Sequence, residues 1–377
     1  MNTQSELVTC ESPAPVANGT VNGTATMATL ANGKGDVITS HRMDDVIRGG
    51  DVAEELLPVV VGLTSQRKYV PHWYLYDTRG SELYEELVHK SPTYKLWEHE
   101  YSVLKTHGDE ISSKVSSPAV LVELGSGASS KTRLIIEAML KRHGNFTFVP
   151  VDIAEEFIED CGRQLESDYP GLTVEPFGGL YMDGVRHIAA RPEAKMLLFL
   201  GSSFSNIPIT EQLKMMVDIR MRLSAQDRLV LGLDMNTDRE ALSKAYDAQW
   251  SPWLRDNFIC RLNQDFGGDM KKEKFEYNFD FVENPADEDT PSYVQLSISS
   301  IGNQRVHFEK MSLDIDFQDG EKIYLAEGPN YSCKWNLKQL RHLAEKSGFT
   351  VDAHWANNEN TYCIVSFAPA DTVASSA

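Results

Sequence analysis

Two glycines one residue apart, Gly125 and Gly127, stand in the run Glu123-Leu124-Gly125-Ser126-Gly127, between an apolar stretch and an amphipathic one. Glycine lets the backbone turn tightly and approach a ligand closely beside a helix N-terminus. Asp152 ends the next apolar stretch, FTFVPVD, where a carboxylate can accept from both hydroxyls of a ribose. The third glycine of a dinucleotide-binding G-x-G-x-x-G is missing, because position 130 is Ser. A ligand with a ribose but no pyrophosphate suits this pattern better, so the expected cofactor is S-adenosyl-L-methionine, leaving as S-adenosyl-L-homocysteine. Lys131 starts the following helix, where a cation gains nothing from the helix dipole. It is either a solvated lysine or the partner of the methionine carboxylate.

The elements that must position these residues read as α/β. Strand-like runs are LVEL at 121–124, FTFVPVDI at 146–153, LTVEPF at 172–177, KMLLFLG at 195–201 and RLVLGLDM at 228–235. Amphipathic helical stretches lie between them, at 131–144, 155–169 and 210–225. Buried strands alternating with helices predict a parallel, doubly wound sheet. Residues 236–335 depart from this pattern and read as an α+β insertion. The parallel pattern is expected to return with a helix at 335–347 and the runs FTVDAHWAN and TYCIVSFAP. The division predicted is a disordered tail at 1–40, rich in Asn, Gly, Thr, Ala and Ser. A helical part of a substrate lobe follows at 41–110, a core at 111–235 plus 336–370, and an inserted substrate lobe at 236–335.

Composition narrows the partners. Lys+Arg number 36 and Asp+Glu 55, a net charge of −19. That balance excludes nucleic acid as an expected partner, because such proteins need a basic face, and it disfavours anionic membrane surfaces. A small-molecule substrate and a monomer are expected. Five scattered cysteines, with no C-x-x-C pair, form neither a disulfide framework nor a metal site, and point to a reducing, cytoplasmic setting. No metal is expected.

LVELGSGASSKTRLIIEAML, VPVDI, LFLGSSFSNI, KAYD and YSCK, with YLYDTRGSELYEEL at 74–87, together resemble the histidine Nα-methyltransferases of ergothioneine biosynthesis and the methyltransferase domain of ovothiol biosynthesis. The resemblance runs from about residue 72 to 367. It implies a Rossmann-like, seven-strand methyltransferase core with a second α+β substrate lobe. It implies that Glu123, Gly125, Gly127, Lys131, Asp152, Gly179, Leu180 and Gly201 form the cofactor side. Asn206, Tyr246 and Ser332 would hold the head of an amino-acid substrate, Tyr76 its amine, and Tyr84 its ring. Taken alone, Asn206 could cap a helix and Tyr246 could be a core tyrosine.

The chain departs from that family in two places. The family's Gly-Asp pair after the third strand is replaced by Gly178-Gly179-Leu180-Tyr181, leaving Asp183 as the nearest acid. The Glu that meets the imidazole is replaced by Asn330, with Glu327 three residues earlier, and the ring-lining Met aligns near Leu296. An amide accepts an imidazole N–H more weakly than a carboxylate does. The substrate implied is histidine or a modified histidine; the alternatives are tryptophan or another aromatic amino acid, or a degenerate cofactor-binding module. Methyl transfer needs a neutral amine and no protein nucleophile. Tyr76 and Asp247 are the expected proton acceptors.

Overall fold

The computed structural model describes residues 52–247, 250, 252–328 and 331–370. The expected tail at 1–40 and the ring-pocket residue Asn330 lie outside them. Six strands come first: β1 (Ala119–Leu124), β2 (Phe146–Asp152), β3 (Leu172–Val174), β4 (Phe177–Gly178), β5 (Ala194–Phe199) and β6 (Arg228–Asp234). The chain then leaves for β7 (Phe275–Val282), β8 (Ser292–Ser300), β9 (Gln304–Phe308), β10 (Leu313–Phe317), β11 (Lys322–Tyr324) and β12 (Tyr331–Lys334). It returns with β13 (Phe349–Ala356) and β14 (Tyr362–Pro369).

The main sheet has the order β13-β14-β6-β5-β1-β2-β3, with β4 beside β2. β3 and β4 are one run, LTVEPF, broken where Pro176 cannot donate to the ladder. The first six strands run parallel to one another. The parallel return expected at the C-terminus is wrong: β14 runs antiparallel to both β6 and β13. The reason is the connection, which spans only 357–361 and is too short for a crossover. Asn357 closes it, its Oδ1 accepting from the N–H groups of Thr361 and Tyr362.

Alternate residues of β1 feed two apolar layers. Val120, Val122 and Leu124 pack with helices Tyr181–Ile188, Ile209–Arg220 and Leu337–Ser347. Ala119 and Leu121 pack with helices Leu96–Ser112, Arg133–His143 and Glu155–Asp168. The helix Leu96–Ser112 therefore belongs to the core layer, not to the substrate lobe where the 41–110 division placed it. Val103, Leu104 and Ile111 are its buried stripe.

The other lobe is built on an antiparallel sheet in which β8 pairs with β7 on one edge and with β11 and β12 on the other. Helices Leu57–Thr64 and Phe258–Phe266 and the strand pair β9–β10 share its apolar core. Tyr69 bridges in parallel to Tyr324 of β11, tying the N-terminal segment to this sheet.

Candidate active site

The strand order places the site. From β1 the chain winds outward to β2, β3 and β4, then crosses back to β5 on the other side of β1. Ligands of such sheets bind in the crevice where the order reverses, at the carboxyl ends of the strands. Gly125, Asp152 and Gly201 stand at the ends of β1, β2 and β5.

Gly125 has a φ of 74°, and its N–H donates to the Val151 carbonyl at 2.8 Å. A Cβ here would stand 3.3 Å from the Tyr181 ring, so the turn needs glycine. The Asp152 carboxylate is held at two points. Its Oδ2 accepts the Gly127 N–H at 3.1 Å, and its Oδ1 accepts the Ala154 N–H at 3.1 Å. The Gly179 N–H donates to the Asp152 carbonyl at 2.9 Å. Burial pushes the neighbouring Tyr181 phenol up to about 12, with the Asp152 charge adding to the shift. Ile153, Phe157 and Leu180, near Asp152 in the chain or joined to it through Gly179, are exposed apolar side chains. The Ser126 hydroxyl is buried and has no hydrogen-bond partner among the described residues. A glycine cradle, a fixed carboxylate, an orphaned hydroxyl and bare apolar surface together fit an adenosine-bearing ligand such as S-adenosylmethionine.

Glu123 behaves differently from a ligand-facing residue. Its carboxylate is buried and accepts from Thr132 Oγ1 at 2.5 Å and Ser129 Oγ at 3.1 Å. It braces the loop from beneath. Burial pushes its pKa up to about 7, against those two hydrogen bonds and the Lys131 charge. Lys131 is not a solvated lysine. Its Nζ is paired with Glu100, a fully buried carboxylate from helix Leu96–Ser112. Glu100 also accepts the Gly201 N–H, at 2.8 and 3.0 Å, and the Tyr362 hydroxyl. One side chain thus joins the cofactor loop, the end of β5 and β14. Sequence reasoning missed Glu100. The signal was there, since Leu96, Glu100, Val103 and Leu104 share one helical face that is otherwise apolar.

Past Gly201 the chain enters a narrow cavity. Tyr76, Tyr84, Tyr94, Leu96, Gly201, Ser202, Asn206, Tyr246, Trp250 and Ser332 line it. Tyr246 lies stacked with Trp250 (centroids 4.8 Å apart) and with Phe279 (5.7 Å), and Tyr94 meets its ring edge-on at 5.6 Å. Tyr76 and Tyr84 both lean on Trp253, at 5.4 and 5.2 Å. The Tyr246 hydroxyl lies 3.2 Å from Ser332 Oγ. Asn206 ends a 3₁₀ turn, half-buried, and its amide makes no hydrogen bond to protein among the described residues. It does not cap the helix that follows, which starts at Ile209 without a side-chain cap.

The structure therefore brings Tyr76, Tyr84, Asn206, Tyr246, Ser332 and Gly201 to one cavity. It does not bring Leu296 there. Leu296 is 1% exposed in the apolar core of the second lobe, facing Phe279 across the β7–β8 pair. Asp247 is exposed after helix Arg239–Ala245 and does not line the cavity, so its proposed proton-accepting role loses its geometry. Glu327 is half-buried and also off the cavity wall; burial, then the Glu211 charge, holds its pKa above the usual value. Asp183 is engaged with Arg186 on the surface. Tyr94 and Trp250 were missed: aromatic residues far apart in sequence carry no local signal of a shared wall.

Among the described residues no group of His, Cys, Asp and Glu could hold a metal ion, and no helix is long and apolar enough to cross a membrane. The family model described as "Histidine-specific methyltransferase, SAM-dependent" matches residues 53–369. A histidine N-alpha-methyltransferase of Mycolicibacterium smegmatis is 27% identical over 311 residues, covering 81% of this chain and 92% of that one. Ergothioneine biosynthesis protein 1 of Schizosaccharomyces pombe is 23% identical over 335 residues, covering 83% of this chain and 41% of that longer one. The N-methyltransferase imqF of Aspergillus flavus is 23% identical over 317 residues, 81% of this chain and 82% of that one.

Proposed function

The chain belongs to the histidine-specific, S-adenosylmethionine-dependent methyltransferase family, and on that premise we propose that it methylates the α-nitrogen of a free amino acid, histidine or a modified histidine. One observation carries the reading. Gly201 ends a strand of the cofactor crevice and also lines the aromatic cavity, so the two sites open onto each other.

S-adenosylmethionine, when bound, supplies a methyl group on a sulfonium. Asp152 would take the ribose hydroxyls, and Gly125, Gly127 and Gly201 would offer backbone along the ligand. Lys131, neutralised by Glu100, retains N–H groups for the methionine carboxylate. Asn206, whose amide has no partner among the described residues, is suited to an amino-acid head because it both donates and accepts. The aromatic walls exclude water and hold the amine in line with the methyl carbon, which is where most of the rate enhancement arises. They also accommodate an ammonium against their faces. Tyr76 is the cavity residue suited to take the proton that the amine must shed.

A second reading has one observation in its favour. None of the residues lining the cavity among the described residues is charged. Such a wall suits tryptophan or another large aromatic amino acid as well as histidine. The test is incubation with S-adenosylmethionine and each of the twenty amino acids, and 5-thiohistidine, followed by mass spectrometry. The reading expects mass gains of whole methyl groups on histidine or 5-thiohistidine. A gain on tryptophan alone favours the second reading, and no gain on any amino acid contradicts both.

A further inference from the structure

We propose that Lys334, with Asp234 behind it, is a positioning residue that fixes the direction of the hydrogen bonds at the Tyr246–Ser332 end of the cavity, so that this end takes an acceptor atom of the substrate. The proposal rests on the amino-acid reading above and says that this end takes an acceptor of the substrate and not its ammonium.

Lys334 is 1% exposed, on β12. Its Nζ donates to Asp234 Oδ2 at 2.5 Å and to Ser332 Oγ at 3.0 Å, and it lies 5.5 Å from the centre of the Tyr246 ring. Burial alone would pull the lysine pKa down, but the Asp234 carboxylate and Tyr246 outweigh it and hold it above the usual value. The side chain is an ammonium. Asp234 is fixed in turn, its Oδ1 accepting the Asn236 N–H at 2.9 Å.

An ammonium has three N–H donors and no lone pair, so Ser332 Oγ must accept from it. Ser332 and Tyr246 then have two hydroxyl protons between them. One lies in the 3.2 Å contact that joins the two oxygens. The other is left over whichever oxygen donates in that contact. The ammonium also donates toward the Tyr246 hydroxyl, which uses that oxygen as an acceptor and leaves the proton count unchanged, and both hydroxyls line the cavity. The spare O–H therefore points to whatever fills the cavity. A carboxylate oxygen or the unprotonated nitrogen of an imidazole satisfies it; an ammonium does not.

The backbone supports the same conclusion. Ser332 has a φ of 49°, a conformation unfavourable for a residue with a Cβ. The β12–β8 register slips between Tyr331 and Cys333 at this point. Strain of this kind persists where surrounding structure holds it, and here it turns the hydroxyl onto Lys334.

The experiment compares the parent with Lys334→Met/Asp234→Asn, which removes both charges together and so avoids a buried unpaired carboxylate. Ser332→Ala, with the ion pair intact, is the second variant. Affinities for histidine and histidinol are measured by calorimetry with S-adenosylhomocysteine bound, beside the affinity for S-adenosylhomocysteine itself. The expected result is a loss of at least about tenfold for histidine in both variants, with cofactor affinity unchanged. A parallel loss for histidinol, which lacks the carboxylate, assigns the spare O–H to the ring nitrogen. An unchanged histidinol affinity assigns it to the carboxylate. Unchanged histidine affinity in a folded variant, or an equal loss of cofactor affinity, overturns the proposal. Should the parent bind neither ligand, the choice of histidine has failed; the comparison then uses the amino acid found by mass spectrometry and its amino-alcohol.

Discussion

The two walls of the active site are made of different material. The cofactor wall is mostly backbone: glycine turns at the ends of β1 and β5, with one carboxylate pinned by two N–H groups. The substrate wall is mostly side chain: four tyrosines, a tryptophan and an amide, contributed by segments from Tyr76 to Ser332. A backbone site depends on a few residues in a fixed local order. A side-chain site depends on the packing of a whole lobe, since each ring is held by its neighbours.

The largest effect expected from this contrast is on the substrate wall. Trp253, 2% exposed, supports both Tyr76 and Tyr84. Trp253→Ala should cost about 3–5 kcal/mol of stability in denaturant unfolding, because the cavity it leaves is too large to close. A loss below about 1 kcal/mol would show that the lobe does not depend on its aromatic stack.

The next effect strikes where the walls meet. A Cβ at Gly232 would collide with the Glu100 carboxylate and the Tyr362 hydroxyl. Gly232→Ala should therefore cost about 1–3 kcal/mol and weaken cofactor binding by dislodging Glu100 from Gly201 and Lys131. Normal cofactor affinity in this variant would separate Glu100 from the cofactor site.

How much of this was legible in the sequence follows the same division. The strand–Gly125–Gly127–helix run and Asp152 are contiguous, and their chemistry follows from local order. The strands of the main sheet were visible as apolar runs, β14 among them, but the antiparallel direction of β14 was not, since a buried strand looks alike in either direction. Leu296 was misplaced because one face of β8 is core and the pattern alone does not say which pocket that core borders. Glu100 showed in the sequence only as a carboxylate on an otherwise apolar helical face, and Lys334 not at all, because their partners lie more than 30 residues away or across a bulge.

A smaller effect tests the brace beneath the glycine loop. Burial raises the Glu123 pKa from its ordinary value to about 7. The folded state then holds a proton that the unfolded chain has released, so this group's contribution to stability falls as pH rises from about 4.5 to 7. Glu123→Gln carries no such dependence. Its melting temperature relative to the parent should improve between pH 5 and pH 8. A relative change in the opposite direction would mean that Glu123 is ionised when buried. The smallest effect, none at all, is expected from removing residues 1–40, whose composition cannot support a packed core. Turnover lost from a shortened chain that keeps its circular dichroism spectrum would give that segment a part in the site.

The separation of the two walls is tested most directly by one crossed measurement: cofactor affinity and the amino-acid KM, each determined for Asp152→Ala and Tyr246→Phe. Asp152→Ala should weaken cofactor binding by at least tenfold, about 1.4 kcal/mol, with the amino-acid KM measured at saturating cofactor unchanged. Tyr246→Phe keeps its stacking on Trp250 and Phe279 and loses only the hydroxyl. It should raise the amino-acid KM and leave cofactor affinity as it was. Both parameters moving together in both variants would contradict the account, and would mean that the crevice and the aromatic cavity are a single coupled site.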